Sequence, residues 1–359
     1  MERMDARLQV SLKAMGFTQL TEVQKESFAP ALAGKNLLVR APTGTGKTAA
    51  FLVPIIQRMF NDLTLKALVI EPSRELAVQA ANECRKIVGT NGILVVAAYG
   101  GTSPARQDEL VAMGARIIIG TPGRIKEMLS KGVLKPSLYA VLVLDEADRL
   151  FQGEFSAATS HIASRLPKKR QTMLFCVQMP TTDLSHATKL FGELEPIKVG
   201  KVAQERVTHF FVVAVNKNRA LAKLVKANPV KTIVFCASSL DVEQVRKELR
   251  YNLVNSLALH SELDSKKRHS AVRRFAQGGT LVLVASDLAA RGMHFALVKR
   301  VYSVGVPAKK EFYLHRAGRT GRIGESGMCI SVVTKDDLKQ LRIAYENLGV
   351  QAKEMASPE

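Results

Sequence analysis

The sequence predicts an α/β fold: two tandem units, each a mostly parallel sheet covered by helices on both faces. Three observations predict it. Short β-branched runs alternate with longer amphipathic stretches from about residue 21 to residue 347. Most of the short runs are apolar on both faces, as strands between two helix layers must be. They also fall into two series, and 359 residues suffice for two units with separate cores.

The first series reads as strands at Asn36–Arg40, Ala67–Glu71, Ile93–Tyr99, Arg116–Gly120, Val141–Asp145 and Thr172–Cys176. The second reads as Val207–Val215, Lys231–Ala237, Val254–Leu259, Leu281–Ser286, Arg300–Val304 and Met328–Val333. Glu195–Gln204 lies between the series and is the expected linker. The predicted domains are 1–200 and 207–350, followed by a polar tail, 351–359, expected to fray.

Composition narrows the function classes. No apolar run is long enough to span a bilayer, and residues 1–15 lack the apolar stretch of a secretory signal. Cys84, Cys176, Cys236 and Cys329 are scattered singly, which predicts buried free thiols in a reducing compartment rather than disulfides or a zinc site. The formal net charge is +20, and residues 201–359 hold 27 Lys/Arg against 14 Asp/Glu. Such an excess points to a polyanionic partner, nucleic acid before an acidic membrane. With no Trp and few aromatics, base stacking is not expected to be the main grip.

Two segments carry chemistry. Residues 41–48, Ala-Pro-Thr-Gly-Thr-Gly-Lys-Thr, follow an apolar strand and form a phosphate-cradling loop. The backbone amides of such a loop and Lys47 suit β- and γ-phosphates, and the Thr48 hydroxyl suits Mg²⁺. Ala41 stands where the pattern wants Gly, which is tolerable if its φ stays negative. A second strand, Val141–Leu144, delivers Asp145-Glu146-Ala147-Asp148. Asp145 there is the expected metal-positioning group and Glu146 the group that polarises an attacking water. Together they predict hydrolysis of a nucleoside triphosphate.

With His315-Arg-Ala-Gly-Arg-Thr-Gly-Arg322, Pro72-Ser-Arg-Glu-Leu-Ala-Val-Gln79, Thr121-Pro-Gly-Arg124 and Ser286–Gly292 in the same order, the chain resembles the DEAD-box family of ATP-dependent RNA helicases over essentially its whole length. The resemblance implies two RecA-like domains that close on ATP and single-stranded RNA. It implies that Arg319 and Arg322, far along the chain from Lys47, stabilise charge on the γ-phosphoryl only when the domains are shut. It implies a catalytic part for His315, and nucleotide contacts from Thr43, Gly44, Thr45, Gly46, Gly292 and His294. Phe17 and Gln24 lie in what resembles the adenine-reading segment, where an amide with both donor and acceptor matches adenine. The aromatic that stacks on adenine in the family would fall at or before Met1, so it is absent or the natural chain is longer. For RNA it points to Pro72, Arg74, Gly100, Gly101, Thr121, Gly123 and Arg124, and in the second half to Arg268, Ser286 and Arg291. Such contacts read backbone, with little base specificity. Ribosomal or other ribonucleoprotein assembly proteins are the expected partners, in an RNA-rich compartment, mitochondrion or nucleolus ahead of cytoplasm.

Two departures stand out. Cys176-Val177-Gln178 occupies the place of Ser-Ala-Thr, removing hydroxyls that in the family couple hydrolysis to strand separation. His294 stands where the family has an acidic residue near the ribose. The expectation is an ATPase weak in unwinding, with an RNA-clamping assembly factor as the alternative.

Overall fold

The computed structural model describes residues 4–42, 44–199, 207–287, 295, 298–307, 310–321 and 326–358. Two compact units emerge, Met1–Gly200 and Lys201–Glu359. Each is built on a seven-stranded sheet whose recorded pairings are all parallel.

In the first unit the order is α1 (Ala6–Ala14), α2 (Glu22–Leu32), β1 (Leu37–Arg40), α3 (Lys47–Asn61), β2 (Ala67–Ile70), α4 (Arg74–Val88), β3 (Val95–Ala98), α5 (Pro104–Ala112) and β4 (Ile117–Gly120). It continues with α6 (Pro122–Ser130), β5 (Val141–Leu144), α7 (Ala147–Leu150), α8 (Gly153–Arg165), β6 (Gln171–Cys176), α9 (Thr181–Phe191) and β7 (Glu195–Lys198). The strands lie in the order β3-β4-β2-β5-β6-β1-β7. Strands β2, β4 and β5 are buried along their whole length. Alternate residues therefore feed two separate cores, one on each face of the sheet. Burying each such Val, Leu or Ile contributes about 1.5–3 kcal/mol. Phe51 of α3 meets Phe175 of β6 edge to face at 5.2 Å. Buried Gln171 donates to the Ala31 and Lys35 carbonyls, both at 2.9 Å, and accepts from Arg58 at 2.5 Å. Helices α2 and α3 are thereby fixed to β6, the strand beside the phosphate loop.

The second unit runs β8 (Val207–Val213), α10 (Lys217–Ala227), β9 (Thr232–Cys236), α11 (Ser239–Tyr251), β10 (Ser256–Leu259), α12 (Ser265–Ala276), β11 (Val282–Ser286), β12 (Arg300–Val304), α13 (Lys310–Ala317), β13 (Gly327–Val333), α14 (Leu338–Leu348) and β14 (Ala352–Glu354). Its strand order is β10-β11-β9-β12-β13-β8-β14. Again two cores flank the sheet.

All twelve strands expected from the sequence are present, most of them trimmed by a residue or two at the ends. Two more were missed. Glu195–Lys198, expected as linker, is instead the edge strand β7, paired to β1 from Leu37↔Glu195 to Arg40↔Lys198. Ala352–Glu354, expected to fray, pairs with β8, and Met355 N donates to Phe211 O at 2.8 Å. Both are edge strands held by main-chain hydrogen bonds and are largely exposed, so they lack the apolar signature. Pro196 fits an edge, where one side of the strand needs no N–H donor. Val199 extends β7, its N donating to Arg40 O at 3.0 Å, and the remaining linker residues, 200–204, lie outside the described residues. The four cysteines are buried and free, as the spacing predicts.

Candidate nucleotide and nucleic-acid site

In the first unit the residues singled out by sequence gather along the C-terminal edge of one sheet, and the strand order sorts them. The neighbouring ends of β5, β6 and β1 carry Asp145–Glu146, Cys176–Gln178 and Ala41–Thr48. The neighbouring ends of β2, β4 and β3 carry Pro72–Arg74, Thr121–Arg124 and Gly100–Gly101. Phosphate-loop and carboxylate residues occupy one half of the edge and the residues expected at RNA the other half.

The loop reaches α3 through Gly46, at φ +87 as its N-cap, and Gly44 also takes positive φ at +77. Only glycine adopts this region freely. Ala41 is not among the positive-φ residues, which meets the condition set for its replacing Gly. The Lys47 ammonium donates to the Ala41 and Pro42 carbonyls at 2.9 and 3.0 Å, folding back over the loop. Thr45 Oγ1 donates to Pro42 O at 2.8 Å. Thr48 lies in the first turn of α3, half-buried. Gln24 is 4% exposed; its oxygen accepts from Thr21 N at 3.0 Å and its nitrogen donates to Gly46 O at 3.1 Å. Part of its amide therefore stays available, but its first task is to fasten α2 to the loop. Phe17 packs on the core beneath.

Opposite the loop, Glu146 has φ +47 and ψ +48, one of two described non-glycine residues at positive φ. This strain is held by neighbours: Glu146 N donates to Asp145 Oδ1 at 2.9 Å, and Arg149 Nη1 donates to Glu146 Oε2 at 2.6 Å. Sequence reasoning missed Arg149, although its spacing from Glu146 within one helical turn was a signal. Burial pushes the Asp145 carboxyl up to about 6, against the pull of the Lys47 ammonium. Burial, with Glu146 nearby, pushes Asp148 up to about 7.

Glu71 was also missed. It follows β2 beside Asp145, is fully buried, and among the described residues neither carboxylate oxygen has a hydrogen-bond partner. Burial and then Asp145 and Glu146 hold its carboxyl well above the usual range.

On the other half of the edge, the exposed Arg74 guanidinium lies against the backbone of Gly100 and Gly101, where a Cβ on Gly101 would collide with Arg74 Nη1. Ser73 caps α4 by accepting from Leu76 N at 3.2 Å. Pro72 is buried, and Thr121 caps α6 with Gly123 exposed in its first turn. Arg124, also expected at RNA, is held by protein groups in this structure. It is 4% exposed and bound to Asp108 at 2.6 Å, Glu127 at 2.9 Å and Pro104 O at 2.9 Å, so it ties α6 to α5.

In the second unit Ser286 ends β11, and Arg268 donates to the Ser261 and Leu263 carbonyls at 3.1 and 3.3 Å. Arg319 is buried. Arg316, which sequence reasoning did not separate from its neighbours, is the structural arginine of this segment. It is fully buried, bound to Asp287 through Nε at 2.7 Å and Nη2 at 2.5 Å, and also donates to Ser303 Oγ. Thr43, Arg291, Gly292, His294 and Arg322 lie outside the described residues, as does the His315 side chain. At Cys176 the thiol is buried, 3.9 Å from Val39 O, and burial pushes it up to about 12, so it stays neutral.

No described helix is long and apolar enough to cross a membrane. Residues 21–184 match the DEAD/DEAH box helicase family and residues 216–324 the helicase conserved C-terminal domain. The chain is similar to the ATP-dependent RNA helicase CshA of Listeria monocytogenes, 34% identical over 361 aligned residues that cover 99% of this chain and 69% of that protein. It is similar to the DEAD-box ATP-dependent RNA helicase RhpA of Helicobacter pylori, 34% identical over 92% of this chain and 68% of that protein. Among solved structures it resembles Mss116p bound to ssRNA and AMP-PNP, with a TM-score of 0.87 and 28% identity over 99% of this chain and 78% of that one. Phosphate loop, paired carboxylates and two parallel-sheet units thus agree with relationship along nearly the full length, and the chain belongs to the DEAD-box family of ATP-dependent RNA helicases.

Proposed function

We propose that the chain is an RNA-dependent ATPase that remodels RNA or ribonucleoprotein locally and is weak in strand separation. The observation that carries the reading is the shared edge of the first sheet. The ends of β5, β6 and β1 bring together the Lys47 ammonium and the Asp145 carboxyl, and the ammonium favours the ionised carboxylate.

Lys47 would exchange its two carbonyl acceptors for phosphate oxygens, a charge-assisted bond stronger than either. Glu146, oriented by Arg149, takes the role of polarising the attacking water. The donor set fits Mg²⁺: a hydroxyl and a carboxylate are hard oxygen ligands, and among the described residues the Asp145 carboxylate accepts a hydrogen bond from Glu146 N alone. Thr48 and Asp145 would hold the ion, which when bound neutralises charge on the phosphate oxygens. Arg319 and Arg322 are assigned to the γ-phosphoryl in the ATP- and RNA-bound state, on the family resemblance. Arg74 against Gly100–Gly101, with the α6 N-terminus at Thr121–Gly123, offers guanidinium and amide donors to an RNA backbone.

Weak unwinding is inferred from Cys176-Val177-Gln178. A buried neutral thiol at Cys176 and the longer amide of Gln178 replace the two hydroxyls at the end of β6, beside the loop. The same segment supports a second reading, an RNA clamp in ribosome or other ribonucleoprotein assembly, in an RNA-rich compartment such as mitochondrion or nucleolus.

Phosphate release measured with and without single-stranded RNA tests the enzyme reading, and turnover indifferent to RNA overturns it. A duplex-displacement assay separates the two readings. Efficient displacement contradicts weak unwinding, whereas ATP-gated RNA binding without displacement favours the clamp.

A further inference from the structure

The second unit carries the larger cation excess, yet the RNA and nucleotide roles assigned above absorb only four of its arginines. Many of the remaining cations meet at the end of the sheet away from Ser286. Strands β10, β11, β9 and β12 are neighbours and parallel, so their N-terminal ends form one edge, about 15 Å across at three strand spacings. Helices α11 and α12 run back from the opposite edge and finish here. They deliver exposed Lys247, Arg250 and Tyr251, and exposed Arg273 and Arg274. Lys231, just before β9, donates to Ala276 O at 3.3 Å and lies 5.1 Å over the Phe275 ring, so the end of α12 and the start of β9 are in contact.

Between the C-terminal half of α11 and the start of β10 opens a cavity of about 370 Å³, lined by Arg246, Lys247, Arg250, Asn255 and Ser256. Glu243 is the one carboxylate in its lining. That group is already engaged, by Arg246 at 3.0 Å and His260 at 3.0 Å. Arg246 Nε is buried with no acceptor among the described residues. Tyr251 and Leu253, in the chain between the lining residues Arg250 and Val254, are 84% and 88% exposed, and Leu253 is the second described non-glycine at positive φ, +64. Cations at helix C-termini complement the helix dipole, which accounts for the sign of Arg250, Arg273 and Arg274. It accounts for neither the cavity, nor the bare tyrosine, nor the orphaned Nε.

We infer that this edge is a second RNA surface, holding a single-stranded segment outside the one at Ser286. A phosphate sits on Arg246, Lys247 and Arg250, and a base stacks on Tyr251. Guanidinium groups and ammonium groups spaced along a strip suit backbone phosphates, and a lone exposed ring suits any base. RNA is favoured over an acidic protein because the ATPase reading already brings a polyanionic strand to this unit. The inference rests on the RNA-dependent ATPase reading.

The test compares the full chain with a Lys247→Gln, Arg250→Gln, Tyr251→Ala variant, all three at exposed positions. Binding is measured across salt concentration to single-stranded RNAs of about 10 and about 40 nucleotides. The longer RNA should lose about tenfold in affinity, and its log affinity against log salt should flatten by about 1.4, two contacts' worth. Affinity for the short RNA and its stimulation of phosphate release should stay as they are, and Tyr251→Phe should bind the longer RNA like the parent. Equal binding of the longer RNA by parent and variant overturns the surface. So does unchanged RNA binding with lost binding of a polyglutamate peptide, which would assign the edge to an acidic protein. Failure of short RNA to stimulate the parent chain sinks the underlying reading instead, and is seen separately.

Discussion

The side-chain nitrogen of Gln24 donates to the main-chain carbonyl of Gly46 at 3.1 Å, so the residue expected to read adenine also braces the turn that opens the phosphate-binding helix. A Cβ at Gly46 would stand 2.5 Å from that nitrogen and would force a non-glycine residue to φ +87. Gly46→Ala is expected to cost about 1–3 kcal/mol in unfolding free energy. It should also weaken ATP binding at least tenfold, read by calorimetry. Gln24→Ala should weaken ATP more than GTP, the loss common to both reporting the bracing; equal losses for both nucleotides would confine Gln24 to bracing.

Glu146 and Arg149 form the second testable pair, at 2.6 Å. Glu146→Gln keeps shape and hydrogen bonding but removes the charge. Phosphate release should fall by about 10²-fold or more while ATP and RNA remain bound together. Arg149→Ala should lower turnover with little change in ATP affinity, because the loop residues that hold phosphate do not touch it.

Glu71 gives a pH dependence with a definite sign. Its carboxyl is raised in the folded protein, so the folded state keeps a proton that the unfolded chain releases in the ordinary carboxyl range. The associated stability is present below that range and is lost as pH rises, by up to about 1.4 kcal/mol per pH unit. Glu83, pushed up to about 7 by burial with Asp145 adding to it, acts in the same direction between the ordinary range and pH 7. Glu71→Gln should therefore leave thermal stability near that of the parent at pH 4 and raise it at pH 8. A variant no more stable at pH 8 would show that the carboxylate is solvated when the protein opens locally.

Arg316 and Arg319 sit three residues apart and should fail in different ways. Arg316→Lys loses the two-point bond to Asp287, and the second unit should lose about 3 kcal/mol of stability. Arg319→Gln should lower RNA-stimulated phosphate release on the order of 10³-fold. Circular dichroism melts beside turnover separate the two.

Arg124→Ala should destabilise the first unit by about 2–3 kcal/mol, since Asp108 and Glu127 lose a buried partner. At temperatures where it stays folded, the salt dependence of RNA affinity should match the parent. A shallower slope would mark Arg124 as a phosphate contact.

The sequence by itself determined twelve of the fourteen strands and the two-unit plan, because a strand packed between helix layers must be written in apolar residues. It determined the nucleotide chemistry too, since a glycine loop ending in Lys47-Thr48 and an Asp145-Glu146 pair are local in the chain. The tertiary structure alone decided what depends on neighbours distant in sequence. Edge strands β7 and β14 are held by main-chain bonds and leave no mark in side chains. Arg124 and Arg316 resemble their neighbours as letters, and only the fold shows them buried against Asp108, Glu127 and Asp287. Glu71 reads as an ordinary charge until the adjacent strand places Asp145 beside it and packing leaves it no hydrogen-bond partner among the described residues. Periodicity records what a residue must be; which partner it meets is set by strand order, and strand order is not written locally.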